Sequence, residues 1–369
     1  MSGDGLVAWL HLGDPHLVER DGQNFADLSA LAARAQRLGR GADFVYLPGD
    51  VAEHGAAGEY VLAKEALQAI SAPLYAVPGD HDVHTRKLDA FRAAFLRALP
   101  AALDIAGRRC LFLDMVGAGS GGPDFRLGAG QLDWLRAQLE GARGGAILFM
   151  HAYPADLADA SERKALLDLL ARRRVWAVDM GHTHYNELAN DGRTIFAATR
   201  SIGQIEEGPP GLSLMAVDAD GSVSFRFQPL GPQGPLALIA SPADRRLATD
   251  SARPPRPGEA FELRALALPA GEVEDCRFRI DDGPWIPMRP ANARLWTATA
   301  RAPEAPFRLT VEARAHGASD GDVIEVAPEG EDAPCERVAD GSDADRVGAW
   351  PHKHIHGGQL GPNRNGRKW

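Results

Sequence analysis

The chain has 369 residues, 45% of them apolar, and carries 40 basic against 50 acidic side chains for a formal net charge of -10. That length suits about two domains, and the acidic balance offers no broad cationic field to a nucleic-acid backbone or an anionic membrane. Three scattered cysteines, Cys110, Cys276 and Cys335, are too few for a disulfide framework or a paired-cysteine zinc site and suit a reducing compartment.

In chain order, Met1 to Leu12 lacks the basic start and apolar length of a signal peptide, and no later run reaches the ~20 apolar residues that span a bilayer. A cytoplasmic location is expected. From Leu6 to about Pro229 short apolar runs alternate with amphipathic stretches, as strands alternate with helices in a layered α/β fold. The predicted strands are Leu6 to Leu12, Phe44 to Leu47, Leu74 to Val77, Cys110 to Met115, Ala146 to Met150 and Val175 to Met180. The predicted helices are Ala26 to Leu38, Glu59 to Ile70, Leu88 to Leu96, Gln131 to Leu139 and Lys164 to Ala171. Asn190, Asp191 and Gly192 mark a hairpin, and strands at Leu212 to Val217 and Ser222 to Gln228 complete a mixed sheet. The first domain is expected over residues 1–230, with mixed sheets covered by helices.

At Gly231 to Pro235 a Pro/Gly linker ends the helical period. Short strands separated by turn clusters then follow, at Leu236 to Ala240, Ala260 to Ala267, Arg277 to Ile280, Trp285 to Met288, Leu295 to Ala300, Phe307 to Ala315 and Val323 to Val326. About seven strands in roughly 95 residues is the pattern of an all-β, immunoglobulin-like sandwich over residues 231–328. Residues 329–369 show no core-forming period and are expected to form an extended tail.

The chemistry lies where Asp and His residues meet the strand ends. Asp14 and His16 follow the first strand, Asp50 the second, and Asp80, His81 and Asp82 the third; His151 follows the strand ending at Met150, and His182 and His184 the next. Loops beyond the carboxyl ends of strands form the binding crevice of open α/β sheets, so these five groups are expected to converge. Carboxylates and imidazoles suit divalent cations, and two cations ~4 Å apart need one bridging carboxylate plus about three further ligands each. Such a pair acidifies water and clamps the oxygens of an in-line displacement, so hydrolysis of a phosphate ester is the matching reaction.

The ordered set Asp14-x-His16, Gly49-Asp50, Gly79-Asp80-His81-Asp82, His151 and Gly181-His182-Thr183-His184 resembles the calcineurin-like metallophosphoesterases over about residues 6 to 200. The resemblance implies that Asp14, His16 and His184 hold one metal and Asp80, His151 and His182 the other, with Asp50 bridging. It makes His81 the proton donor, with Asp82 orienting its ring. The metals expected are iron or manganese, with zinc as an alternative. The family usually has Asn where this chain has Asp80, so the site gains a negative charge that suits a more highly charged metal or a less anionic diester.

The chain leans toward the bacterial cyclic-nucleotide phosphodiesterase branch, with a phosphomonoesterase or pyrophosphatase as the enzymatic alternative. The alternative of another class is a binding module with a degenerate metal site, acting through the β-sandwich. The expected partner is a small phosphoester, with no stable nucleic-acid or membrane partner and an oligomeric state that the sequence leaves open. His11 is expected to be packed or hydrogen-bonded, while Glu53, His54 and His84 lie on crevice loops within reach of a substrate. Arg172, Arg173 and Arg174 suit a helix C-terminus better than a phosphate. In the tail, His352, His354 and His356 alternate, Arg364, Arg367 and Lys368 form a basic end, and Trp350 and Trp369 suggest docking.

Overall fold

The structure is a computed structural model that describes residues 4–95, 98–117, 124–205, 207–231, 234–330 and 345–356. Strands and helices alternate as β1 (Val7–His11), α1 (Gln23–Leu38), β2 (Phe44–Leu47), α2 (Ala57–Leu67), β3 (Leu74–Ala76), α3 (Asp89–Phe95), β4 (Ala101–Ile105), β5 (Arg108–Phe112), α4 (Ala129–Gly141), β6 (Ala146–Phe149), α5 (Ala160–Arg172) and β7 (Val175–Met180). Then come β8 (Glu187–Asn190), β9 (Ile195–Ala198), β10 (Gly211–Val217) and β11 (Val223–Pro229). They build two mixed sheets, ordered β11-β10-β1-β2-β3 and β4-β5-β6-β7-β9-β8.

Alternation along each strand explains how these sheets stack, because successive side chains leave opposite faces. Trp9, Phe44 and Tyr75 from one sheet meet Phe112 and Phe149 from the other in a shared buried cluster. Its rings pack edge-to-face, as Trp9 on Phe149 at 5.2 Å, or stacked, as Phe112 on Phe149 at 4.6 Å. The opposite faces, Ala8, Leu10, Val45 and Leu47 in one sheet and Leu111, Leu148 and Val178 in the other, pack with buried residues of all five helices. The result is a helix-sheet-sheet-helix sandwich of the metallophosphoesterase type, in which the parallel strands β1 to β3 and β5 to β7 end at one rim.

Two sequence expectations need correction here. The strand expected at Cys110 to Met115 begins earlier, at Arg108, because Ala106 and Gly107, with φ of 49° and 78°, turn the chain into a hairpin with β4. Strand β4 itself was not expected: it is a short edge strand whose residues are half-buried or exposed and whose place comes from pairing with β5. The second correction concerns the tail. Residues 345–356 are docked and turned: Arg346 bridges to Ala189, Pro351–Lys353 form one helical turn, and Trp350, Lys353 and Ile355 are buried. A few anchors hold this segment, and anchors leave no period to read. Arg364, Arg367, Lys368, Trp369 and Cys335 lie outside the described residues.

After residue 235 every sheet is antiparallel. Strands β12 (Leu236–Ser241), β13 (Ala260–Leu268), β14 (Asp275–Ile280), β15 (Ile286–Pro287), β16 (Arg289–Pro290), β17 (Leu295–Arg301), β18 (Phe307–Ala315) and β19 (Ala318–Val326) form sheets ordered β12-β13-β17-β16 and β15-β14-β18-β19. This two-sheet arrangement is compatible with an immunoglobulin-like sandwich. Strand β19 starts five residues ahead of the expected Val323, because His316 and Gly317 take left-handed φ and let polar Ala318 to Asp322 pair with β18. The sandwich is fastened to the first layers by buried ions. Arg294 donates to Gly41 O at 3.0 Å and pairs with Asp4 at 3.2 Å and Asp43 at 3.3 Å. Arg226 of β11 pairs with Asp320 at 2.8 Å and Asp322 at 3.3 Å on β19, and Lys353 pairs with Asp322.

Candidate metal centre

Asp14 and His16 follow β1, Asp50 follows β2, Asp80 follows β3, His151 follows β6, and His182 and His184 follow β7. Both sheets feed the same rim, so residues far apart along the chain become neighbours. The backbone is bent hard to achieve this: His16, Asp50, His182 and His184 all have positive φ, at 45°, 48°, 65° and 66°. Non-glycine residues rarely occupy that region, and they do so where surrounding structure over-determines them. Gly79 is required by close approach, since a Cβ there would lie 2.2 Å from Asp50 Oδ1 and 2.6 Å from His151 Cε1.

Three groups of donor atoms result, one of them His16, Glu53 and His81. Asp50, Asp80, His151 and His182 offer ligand atoms within 4.8 Å of one another, and so do His16, Asp50 and His184; Asp50 belongs to both. His151 Nε2 lies 3.0 Å from Asp80 Oδ1 and 3.5 Å from Asp50 Oδ2, and His182 Nδ1 lies 3.3 Å from Asp80 Oδ1. His16 Nε2 lies 3.7 Å from Asp50 Oδ2 and 3.1 Å from His184 Nε2. Asp14 adjoins both groups: its Oδ1 accepts from His182 N at 3.3 Å and lies 3.8 Å from His151 Nδ1.

Electrostatically the cluster pairs buried carboxylates with imidazoles. Among the described residues the ion-pair partners of Asp14, Asp50 and Asp80 are imidazoles alone. Burial, only partly offset by His151, pushes the Asp14 carboxyl well above its usual range. Burial also acts on Asp50 and Asp80, but the facing imidazoles outweigh it and hold both carboxyls low. Burial and the neighbouring His16 keep the His184 ring neutral.

The tautomers show that a cation fits. His16 Nδ1 donates to Glu53 Oε2 at 2.8 Å, which leaves Nε2 as a bare lone pair in the neutral ring. His184 Nε2 faces that lone pair, and a proton held between them strips His184 Nδ1, a buried nitrogen with no hydrogen-bond partner, of its own. A cation in contact with both Nε2 atoms removes the conflict, because His184 then carries its proton on Nδ1. Buried Asp14 Oδ2, also without a hydrogen-bond partner, is a further free donor to such a cation.

Around this cluster lies a supporting layer. Glu53 Oε2 also accepts from Gln204 Nε2 at 2.9 Å, and the Glu53 carbonyl accepts from His81 Nδ1 at 3.0 Å. Burial opposes ionisation of Glu53, yet the bonds from His16 and Gln204 bring its pKa down to about 2. His81 also donates its backbone N–H to Asp50 Oδ1 at 2.9 Å. Burial works against a charged His81 ring, but Asp50 and the Glu53 carbonyl outweigh it and raise its pKa. Asp82 does not orient His81, contrary to expectation. Its carboxylate accepts from Gly79 N at 2.9 Å, Ala52 N at 3.1 Å and Tyr60 Oη at 2.8 Å, bracing the two loops that carry Asp50 and Asp80. Full burial, with Asp50 near, raises the Asp82 carboxyl to about 7.

The remaining sequence candidates stand apart from the cluster or at its border. His11 is buried on Asp179 at 2.9 Å. Exposed His54 bonds Glu59 at 2.8 Å, and the His84 ring lies 4.4 Å from that of His81. Arg172 and Arg173 pair with Asp168 and Glu140, and Arg174 covers Trp176. His354 has φ of 57°, so the alternating tail histidines do not share an extended face. Sequence reading passed over Gln204 and Arg200, whose segment follows β9 without an Asp or His to flag it, and Asn186, which lies two residues after His184; the signal for Glu53 was its place in the Asp50 loop.

A rim of carboxylates and imidazoles in which two donor groups share Asp50 is a candidate dinuclear metal site, and sequence comparison bears on its class. Residues 9–186 match the model of the calcineurin-like phosphoesterase family, so this part of the chain is similar to that family. A Synechococcus protein named "Probable cyclic nucleotide phosphodiesterase" is 27% identical over 197 residues, covering 50% of this chain and 75% of that protein. Among solved structures, purple acid phosphatase PPD1 from yellow lupin aligns at 14% identity and a TM-score of 0.48, covering 61% of this chain and 52% of that one. GAP50 of Plasmodium aligns at 14% and 0.46, covering 62% and 86%. Among the described residues no helix is long and apolar enough to cross a membrane.

Proposed function

We propose that the chain hydrolyses a phosphodiester, a cyclic nucleotide being the leading candidate, at a pair of metal ions. The observation that carries this reading is the sharing of Asp50 between two groups of buried donors. In this reading Asp14, His16 and His184 hold one ion, Asp80, His151 and His182 the other, and Asp50 bridges them. When bound, such a pair acidifies water at neutral pH and neutralises charge on the phosphoryl oxygens. The metals that suit the donor set are iron and manganese, then zinc.

The protein's own groups supply the rest. Glu53 fixes His16 in the tautomer whose Nε2 points inward, and its carbonyl fixes the His81 ring by Nδ1. That leaves the second nitrogen of His81 to carry a proton to the departing alkoxide oxygen. Asp82 keeps the Asp50 and Asp80 loops in register. Asp80 adds a carboxylate where an amide would be neutral, which disfavours a monoester dianion more than a diester monoanion. The domain limits proposed are residues 1–230 for the catalytic layers and 231–328 for the β-sandwich, and the partner is a small phosphoester.

A panel of cyclic nucleotides, diesters and monoesters, assayed with the manganese- and iron-loaded protein, tests the substrate class. The expected order is diester above monoester, with Asp80→Asn narrowing the ratio. His81→Asn is expected to keep both ions and lose turnover of esters with alkoxide leaving groups. Loss of metal instead of turnover in that variant would move His81 into the ligand set.

A further inference from the structure

The docked segment 345–356 ends at the metal rim, and its path there is continuous. Asn190 N donates to Asp345 O at 2.6 Å and Val347 N to Leu188 O at 3.0 Å, so the segment runs along β8. Trp350 is buried beneath Arg246, whose guanidinium lies 4.7 Å from its ring, and Lys353 is buried on Asp322. His354, turned by its positive φ, then presents its carbonyl to two side chains at once: Arg200 Nη2 donates to it at 2.9 Å and Asn186 Nδ2 at 3.0 Å.

Those two side chains enclose the loop that carries His184. Asn186 lies two residues after His184, and its Oδ1 accepts from Arg200 N at 2.9 Å. Its own N–H donates to Glu207 at 2.8 Å. The residue after Arg200 closes the circuit: Ser201 N donates to His184 O at 3.3 Å, and Ser201 Oγ donates to Asp14 O at 2.8 Å. Arg200 is 1% exposed and also bonds Glu207 O at 3.1 Å and Pro209 O at 3.2 Å, so both terminal nitrogens of its guanidinium are held. A strained loop keeps its shape only while its surroundings over-determine it, and one of those constraints comes from ~150 residues away.

We propose that segment 345–356 is a positioning strap for the His16/Asp50/His184 half of the metal centre, acting through the His354 carbonyl on Asn186 and Arg200. This rests on the two-metal reading given above. The strap touches neither substrate nor metal; it sets the aim of His184 and, through Ser201, of the Asp14 backbone. Supporting hydrogen bonds of this kind typically matter roughly 10- to 100-fold in metal affinity or activity. In the other half of the centre, Asp80 and His151 have no hydrogen bond to the segment among the described residues, and His182 is two residues further than His184 from Asn186, so the two ions are expected to respond unequally.

The test is manganese binding by calorimetry, with the paramagnetic resonance signal of a spin-coupled pair as second readout. Three proteins are compared: the full chain, a chain ending at residue 344, and full-length Asn186→Ala, which keeps the anchors and loses one link. The full chain is expected to take up two ions. The shortened chain and Asn186→Ala are expected to keep one ion at unchanged affinity, to bind the second roughly 10- to 100-fold more weakly, and to lose the coupled signal in proportion. A synthetic peptide of residues 345–356 is expected to restore the second ion in the shortened chain. If the shortened chain fails to fold, Asn186→Ala decides alone. Two ions bound with unchanged affinity in Asn186→Ala, or equal weakening of both ions, overturns the strap. A full chain that binds one ion or none overturns the two-metal reading instead.

Discussion

Two buried charge clusters sit in this molecule, and they are built on opposite terms. At the junction with the β-sandwich, Arg226 and Lys353 face Asp320 and Asp322, two cations against two anions, and the backbone N–H groups of Ala237 and Ile239 complete the carboxylates at 2.9 Å. At the rim, Asp14, Asp50 and Asp80 face only imidazoles. Both are buried, and both tie together distant parts of the chain. The difference is that the junction pairs its carboxylates with Arg and Lys, which keep their protons, whereas the rim pairs them with imidazoles, which can give up a proton and ligate a cation instead. Carboxylates facing fixed cations are architecture, and carboxylates facing exchangeable imidazoles can be a site.

That contrast breaks if a substitution in one cluster produces the effect assigned to the other. The largest effect is expected from Asp50→Asn, which removes the shared carboxylate: kcat/KM for a diester should fall on the order of 10⁴-fold, about 5 kcal/mol, with no loss of folded structure by circular dichroism. Next is Lys353→Met, which leaves Asp322 without one of its two cations; denaturant titration should show a loss of about 3–5 kcal/mol, the ion on Asp80, His151 and His182 being retained. Chelation should act on the rim alone. A protein held at about 100 times the dissociation constant of its metal gains about 2.7 kcal/mol, so stripping the metal should lower the Tm of the wild type and leave that of Asp50→Asn nearly unmoved. The smallest effect is expected from Glu53→Gln, which keeps the shape but weakens the hold on His16: metal affinity should fall roughly 10- to 100-fold, about 1.4–2.7 kcal/mol. A Glu53→Gln protein as dead as Asp50→Asn would place Glu53 in contact with the reacting groups.

The rim was legible in the sequence for a physical reason. Covered parallel strands are short apolar runs with sharp ends, and each run here stops at a Gly-Asp, a Gly-His or a lone His that has no place inside a sheet. The layers β1 to β3 and β6 to β7 could be read off the same contrast. What escaped was held by other means. Strand β4 is a half-exposed edge and owes its place to pairing with β5. The role given to Asp82 failed because adjacency in sequence is not adjacency of side chains: the short helical turn His81–Val83 sends Asp82 down onto backbone N–H groups while His81 turns to Glu53. The contacts of Arg200 and Asn186 with residue 354 join positions 154 and 168 apart, and nothing in the sequence near either of them points to residue 354.

Strand β8 is the outermost strand of the six-stranded sheet, and residues 345–347 lie against its open side. An uncovered row of N–H and C=O groups is a template on which any extended peptide, including another molecule of the same protein, can add itself. By occupying that row with its own polypeptide the chain covers this border of the sheet, so removal of residues 345–347 would unmask a self-adhesive edge.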